Sequence, residues 1–138
     1  MTDRLIGIDF GLSKVGLSIS DPLKIISIPL KVIKYKKREE LLNKLQEIAI
    51  ENDVKSFVIG YPLNMNNKKN EMTKLVDDFF EELKNLNFNV FLQDERLSSE
   101  SAKKIMHEQN IKTGKNKEHI DLIASTIILQ SFLDKGSF

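Results

Sequence analysis

Three stretches of the chain carry acids where an acid is costly. Asp9 interrupts the apolar run RLIGIDF, Arg4 to Phe10. A strand this rich in Ile and Leu is commonly buried on both faces in an α/β sheet, so a carboxylate within it must be protonated or matched by a cation. Asp94 and Glu95 follow the run NFNVFLQ, Asn87 to Gln93. Successive strand side chains alternate faces, so at most one of the two shares a side with Asp9, and the sequence leaves open which. Asp121 stands at the start of a helical pattern whose apolar stripe is Ile120, Ile123, Ala124, Ile127 and Ile128. It sits at the edge of that stripe, beside Ile128 and Phe132, and is expected to face inward. Each acid also has a plain structural reading: a cap on the Gly11 turn, a solvated strand end, and compensation of a helix dipole.

Convergence of the three positions would say more than any one of them. Two carboxylates about 4 Å apart repel by about 4 kcal/mol at an effective dielectric near 20, and a cation removes that penalty. The chain has no Cys and only two scattered His, so the donors are hard oxygens. Such donors select Mg²⁺ or Mn²⁺. Paired ions of this kind activate a water on one side and stabilise a leaving oxygen on the other, which is the chemistry of phosphodiester cleavage. The residues therefore point to a metal-dependent nuclease, with Asp9, one of Asp94 and Glu95, and Asp121 as its acids.

The elements that must position these acids follow from hydrophobic spacing. Arg4 to Phe10, Val15 to Ser20 and Ile25 to Ile33 read as strands joined by short links with Gly, Ser, Asp and Pro, hence an antiparallel meander. Pro29 has no N–H to donate and belongs at an edge, an end or a bulge. From Glu39 to about Asn52 the period becomes helical, Lys55 to Gly60 is a buried strand, and Leu63 to Asn70 is loop by composition. A strong helix runs through Met72, Leu75, Val76, Phe79, Phe80, Leu83 and Leu86. Asn87 to Gln93 is the last strand, Ser98 caps a helix to about Gln109, and Glu118 to Leu133 is the final helix. The order βββαβαβαα predicts an α/β fold with a five-stranded mixed sheet flanked by helices, within one domain over residues 1–138. This order resembles the ribonuclease H-like architecture, a likeness of fold that leaves function to the site.

Charge and composition exclude several classes. With 138 residues the chain supports one core, and without Cys it has neither a disulfide framework nor a thiolate nucleophile. The longest nearly apolar run, Leu122 to Leu133, is broken by Ser125, Thr126, Gln130 and Ser131 and is shorter than the roughly 20 residues a bilayer requires. No membrane partner is expected, and with no secretory leader the expected location is cytoplasmic. A net charge of +1 gives no bulk attraction to nucleic acid, so binding must rest on local patches. Two exist: Lys31, Lys34, Lys36, Lys37 and Arg38, and a second of Lys103, Lys104, Lys112, Lys115 and Lys117 next to Asp121. Lysines around a carboxylate cluster would offset its repulsion of phosphates.

Four collinear segments, GIDFGLSKVG (Gly7 to Gly16), VIGYPLNMN (Val58 to Asn66), DERLSS (Asp94 to Ser99) and Lys117-x-x-x-Asp121-x-x-Ala124-Ser125, resemble the YqgF (RuvX) family over nearly the whole chain. Members of that family are described as Holliday junction resolvases and as nucleases maturing the precursor of 16S ribosomal RNA. The resemblance implies a ribonuclease H-like nuclease with Asp9, Glu95 and Asp121 as catalytic acids. Mg²⁺ or Mn²⁺ would be held among Asp9, Asp94, Glu95 and Asp121. Lys14, Arg96, Lys115 and Lys117 would meet the phosphates of pre-rRNA or branched DNA. The chain departs from the family pattern at Ser13, where a basic residue is usual, at Asn67, where Gly is common, and at Ser125, where a second Ala is usual.

Two other readings compete. A non-catalytic nucleic-acid-binding factor in transcription or ribosome assembly could keep the acidic site without turnover. The segment GIDFG also resembles the phosphate loop of actin-like and sugar-kinase ATPases, but those close two domains of this general fold around ATP and 138 residues supply one. Resolution of a junction needs two active sites and so a homodimer, whereas trimming of RNA needs one.

Overall fold

The structure, a computed structural model, describes residues 4–62, 70–94 and 117–136, with backbone alone over 117–119. The elements are β1 (Arg4–Asp9), β2 (Lys14–Ser20), β3 (Ser27–Lys34), α1 (Arg38–Asn52), β4 (Val54–Tyr61), α2 (Glu71–Asn85), β5 (Asn89–Asp94) and α3 (Lys117–Lys135). The strands form one sheet in the order β3-β2-β1-β4-β5. β1 pairs antiparallel with β2, and β2 with β3; β4 runs parallel to β1, and β5 parallel to β4. This is the expected meander followed by parallel crossovers. The helix expected after Ser98 lies outside the described residues.

The two faces of the sheet carry two apolar layers, and strand parity assigns each residue to one of them. Ile6 and Ile8 of β1, with Val15, Leu17, Phe57 and Ile59, pack beneath α1 and α2 against Leu41, Leu45, Val76, Phe79 and Leu83. Leu5 and Val58 face the other way, onto Ile128, Leu129, Phe132 and Leu133 of α3. Odd residues of β1 therefore look toward α3 and even residues toward α1 and α2. Among the described residues no helix is long and apolar enough to cross a membrane.

Local chemistry sets the ends of the elements. Asn70 caps α2 by accepting from the Thr73 amide at 3.1 Å, and the Thr73 hydroxyl accepts from the Asn70 amide at 2.9 Å, a reciprocal capping box. α1 stops where Asp53 takes a left-handed conformation at φ 55°. β3 begins at Ser27 rather than at the expected Ile25. The Asp21 carboxylate accepts from the Ile25 and Ile26 amides at 2.7 and 2.8 Å and curls those residues out of the ladder. Pro29 lies on an edge strand, beside a register irregularity at Leu17/Ser18, as its missing donor requires.

Candidate functional site

Asp9 is the last residue of β1 and pairs with Gly16 of β2. It shares parity with Leu5 and Gly7, so it looks toward α3. What stands there is decided by Gly16, because a Cβ on it would lie 2.6 Å from the carbonyl carbon of Asp121 and 3.1 Å from the Asp121 Cβ. The first turn of α3 thus rests on the bare backbone opposite Asp9, a close approach that only Gly permits. One turn further along the helix the same contact recurs. A Cβ on Gly7 would come 2.7 Å from the Leu129 Cβ and 3.1 Å from the Ser125 carbonyl oxygen.

Hydrogen bonds fix α3 in this seat. The buried Ser125 hydroxyl donates to the Gly7 carbonyl at 2.9 Å, and the Ser18 hydroxyl donates to the Ser125 carbonyl at 2.8 Å. Ser125, a small departure from the family pattern in sequence, is thus the pin between helix and sheet. The buried face of α3 runs through Ala124, Ser125, Ile128, Leu129, Phe132 and Leu133, while Ile120, Ile123 and Ile127 are only half-buried. The stripe is therefore turned by about one residue from the expected one. Asp121 stands in line with Ser125, Ile128 and Phe132, more squarely toward the sheet than at its edge.

The Lys14 ammonium lies 3.0 Å from Oδ2 of Asp121, each side chain about a quarter exposed. That oxygen is buried and, among the described residues, accepts no hydrogen bond. The ion pair offsets the charge of the carboxylate, and no other described residue engages that oxygen. A buried, hard oxygen with an unused lone pair, on the face to which Asp9 points, fits a divalent cation. Among the described residues no group of three or more metal-binding side chains assembles.

Register places the remaining expected acids. Gln93 pairs with Gly60 and Asp94 with Tyr61. Since Phe91 packs in the α3 layer, Gln93 faces α3 as Asp9 does, and Asp94 faces the α2 side with Tyr61. Strand parity thus sets Asp94 on the face away from Asp9, and Gln93 on the same face as Asp9. Glu95, Arg96 and Lys115 lie outside the described residues; Lys117 opens α3, with its side chain outside them. Gln93 was missed in the sequence. It is 6% exposed, and its Oε1 has no hydrogen-bond partner among the described residues. Its signal, a polar residue closing an apolar strand just before two acids, was available.

The chain matches the family described as "RuvX: Holliday junction resolvase" over residues 3–135. A relative from Ruminiclostridium cellulolyticum, named "Putative pre-16S rRNA nuclease", is 39% identical over 96% of this chain and 94% of its own. One of the same name from Mycoplasmopsis synoviae is 40% identical over 95% and 97%. Among solved structures, the fowlpox virus resolvase with its Holliday junction DNA superposes with a TM-score of 0.60 at 10% identity, covering 98% of this chain and 99% of that one. RuvC of Thermus thermophilus with its junction substrate gives 0.56 at 14% identity, over 97% and 96%. The shared fold is the ribonuclease H-like one expected from the order of elements.

Proposed function

The chain belongs to the RuvX family of Holliday junction resolvases, and on that premise we propose that it is a single-domain, metal-dependent endonuclease of structured nucleic acid. Its substrate is precursor 16S rRNA, for which its relatives are named, cut on this reading at the 5′ flank, or a branched DNA junction, and it acts in the cytoplasm. The observation that carries the reading is the seating of α3 on Gly16, which sets the Asp121 carboxylate over the strand pair that ends in Asp9.

Asp9 and Asp121, with Glu95 as third acid, would hold Mg²⁺ or Mn²⁺; when bound, such ions supply an activated water and charge for the leaving oxygen. The chain's own residues set the rest. Among the described residues the Asp121 Oδ2 is engaged by the Lys14 ion pair alone, so taking up a cation asks only that this lysine give way. Lys14 balances the Asp121 charge in the absence of a divalent ion and is close enough to turn to an incoming phosphate when that balance is supplied otherwise. The apolar layer under α3 holds the helix, and with it the carboxylate, to the sheet. Arg96, Lys115 and Lys117 would grip neighbouring phosphates.

Purified protein with Mn²⁺ should cut labelled precursor rRNA or a four-way junction. Asp9→Asn and Asp121→Asn should each lose more than the ~10–100-fold typical of groups that merely surround metal ligands, with nucleic-acid binding retained. Unchanged cleavage in both variants rejects the assignment, and binding without cleavage in the wild type leaves the accessory-factor reading. Sedimentation decides whether the chain pairs, as junction resolution demands.

A further inference from the structure

The first basic run, Lys31 to Arg38, has no role in the site described above, and the structure divides it. Arg38 is turned inward. Its guanidinium lies 5.2 Å from the Phe10 ring centroid and 5.5 Å from that of Phe79, and it pairs with Glu82. Lys37 serves as the backbone N-cap position of α1. Lys31, Lys34 and Lys36 remain exposed, joined by Lys44 from α1.

These lysines line two hollows that meet at Lys34. The inner one, about 480 Å³, is bounded by Ser13, Lys14, Lys34, Tyr35, Lys36 and Glu40. The outer one, about 450 Å³, lies between β3 and α1, where Lys31, Lys34 and Lys44 stand against Glu47 and Glu51. Lys14 belongs both to the inner hollow and to the ion pair with Asp121, so the groove adjoins that carboxylate through one lysine. With Lys14 paired to Asp121, two further lysines face one glutamate at that end and three face two at the far end, so both hollows carry a positive excess. The floor is rigid, because Tyr35 is buried, its amide donates to the Ser13 carbonyl at 2.9 Å and its hydroxyl donates to the Gly11 carbonyl. Lys44 reaches across to the Lys34 carbonyl at 3.4 Å.

We propose that this groove is a track for the phosphodiester backbone of the substrate, leading the strand from the acids over the β3 edge of the sheet between β3 and α1. Lysines are point charges that hold phosphates without reading bases, and a row of them beginning at the active-site lysine suits a polyanion rather than an isolated anion. From Lys34 to Lys31 the edge strand runs roughly 10 Å at ~3.3 Å per residue, room for about two phosphates, since neighbours along one strand lie farther apart than the ~3.4 Å axial rise. The inference rests on the nuclease reading and deepens it by giving the strand a path.

The test compares Lys36→Gln/Lys44→Gln with a control of equal charge loss elsewhere, Lys55→Gln/Lys74→Gln. Binding of fluorescent RNA and DNA strands of one sequence is titrated over a salt series, and cleavage is measured at saturating substrate. The groove variant should lower the slope of log K against log salt by roughly 0.7 to 0.9 per lysine and weaken binding severalfold beyond the control. RNA and DNA should behave alike, and cleavage at saturation should be unchanged. Equal slopes and affinities in the two double variants overturn the track and leave the nuclease reading standing. A wild type that binds with the lysine-dependent slope but never cuts removes the nuclease reading and keeps the track, whereas a wild type that binds neither strand removes both.

Discussion

Gly16→Ala is a one-carbon change with a computable effect on Asp121. The new Cβ would lie 2.6 Å from the Asp121 carbonyl carbon and closer still to its oxygen, against the 3.4 Å or more of ordinary contact, so about 1 Å of separation must open between β2 and the first turn of α3. The helix cannot slide away whole, because Ser125 and Ser18 tie it to β1 and β2 one turn later and Ile128, Leu129 and Phe132 are packed beyond that. It must tilt about Ser125, and the displacement falls on Asp121, about 6 Å along the axis at ~1.5 Å per residue. Overpacking of this kind costs about 1 to 3 kcal/mol, and a displacement near 1 Å at a reacting centre costs about 100-fold in rate. Denaturant unfolding and Mn²⁺-dependent cleavage, measured where the variant is still folded, separate the two effects. Gly7→Ala is the comparison: its Cβ would meet the Ser18 Oγ at 2.5 Å and the Leu129 Cβ at 2.7 Å, at the pin and beyond it, so it should lose stability with a smaller loss of rate. If Gly16→Ala cleaves within threefold of wild type while folded, or if the two variants lose rate equally, the reasoning fails.

Two further outcomes follow from the same geometry. Lys14→Gln leaves the half-buried Asp121 carboxylate without its ammonium, and should lower stability by between the ~1 kcal/mol of an exposed pair and the ~3 kcal/mol of a buried one. Mn²⁺ at saturation should close most of that gap, because ion and lysine answer the same charge; a gap unaltered by Mn²⁺, read by thermal unfolding, refutes the shared role. Burial pushes the Tyr35 phenol above its ordinary value near 10, with the Arg38 charge opposing. The neutral phenol is thus favoured in the folded state, so its contribution is complete below pH 10 and is lost as pH rises through the raised value. Tyr35→Phe should be about 1 kcal/mol less stable at neutral pH through the lost hydrogen bond to Gly11, with a shallower alkaline decline than wild type in a stability titration.

The sequence revealed the elements better than their faces. Every described strand and helix was legible, because apolar spacing is a local signal and both sheet faces are covered. The start of β3 was not, since the Asp21 carboxylate outbids the ladder for two amides that look like strand in composition. Which of Asp94 and Glu95 shares the face of Asp9 turns on the pairing of β5 with β4, a relation between residues some thirty positions apart that no window contains. Asp9 and Asp121 were singled out by their cost. What could not be read was their common support, because a Gly in a strand looks like a weakness until the helix that needs it is in place.

That support also explains how Asp121 is held over the strand pair that ends in Asp9. Carboxylates on one face repel, so the helix that carries Asp121 must be fastened by something other than the acids. The fastening is apolar burial under Ile128, Leu129 and Phe132 together with the Ser18, Ser125 and Gly7 hydrogen bonds, all of it beyond the first turn. The first turn itself contributes its seat on Gly16 and the ion pair with Lys14, and of these the ion pair can exchange for other partners. Stability is therefore concentrated where no chemistry is proposed, and the end that bears Asp121 is positioned by shape and left open in charge. A site arranged in this way can take up a divalent ion and a phosphate without disturbing what holds the helix down.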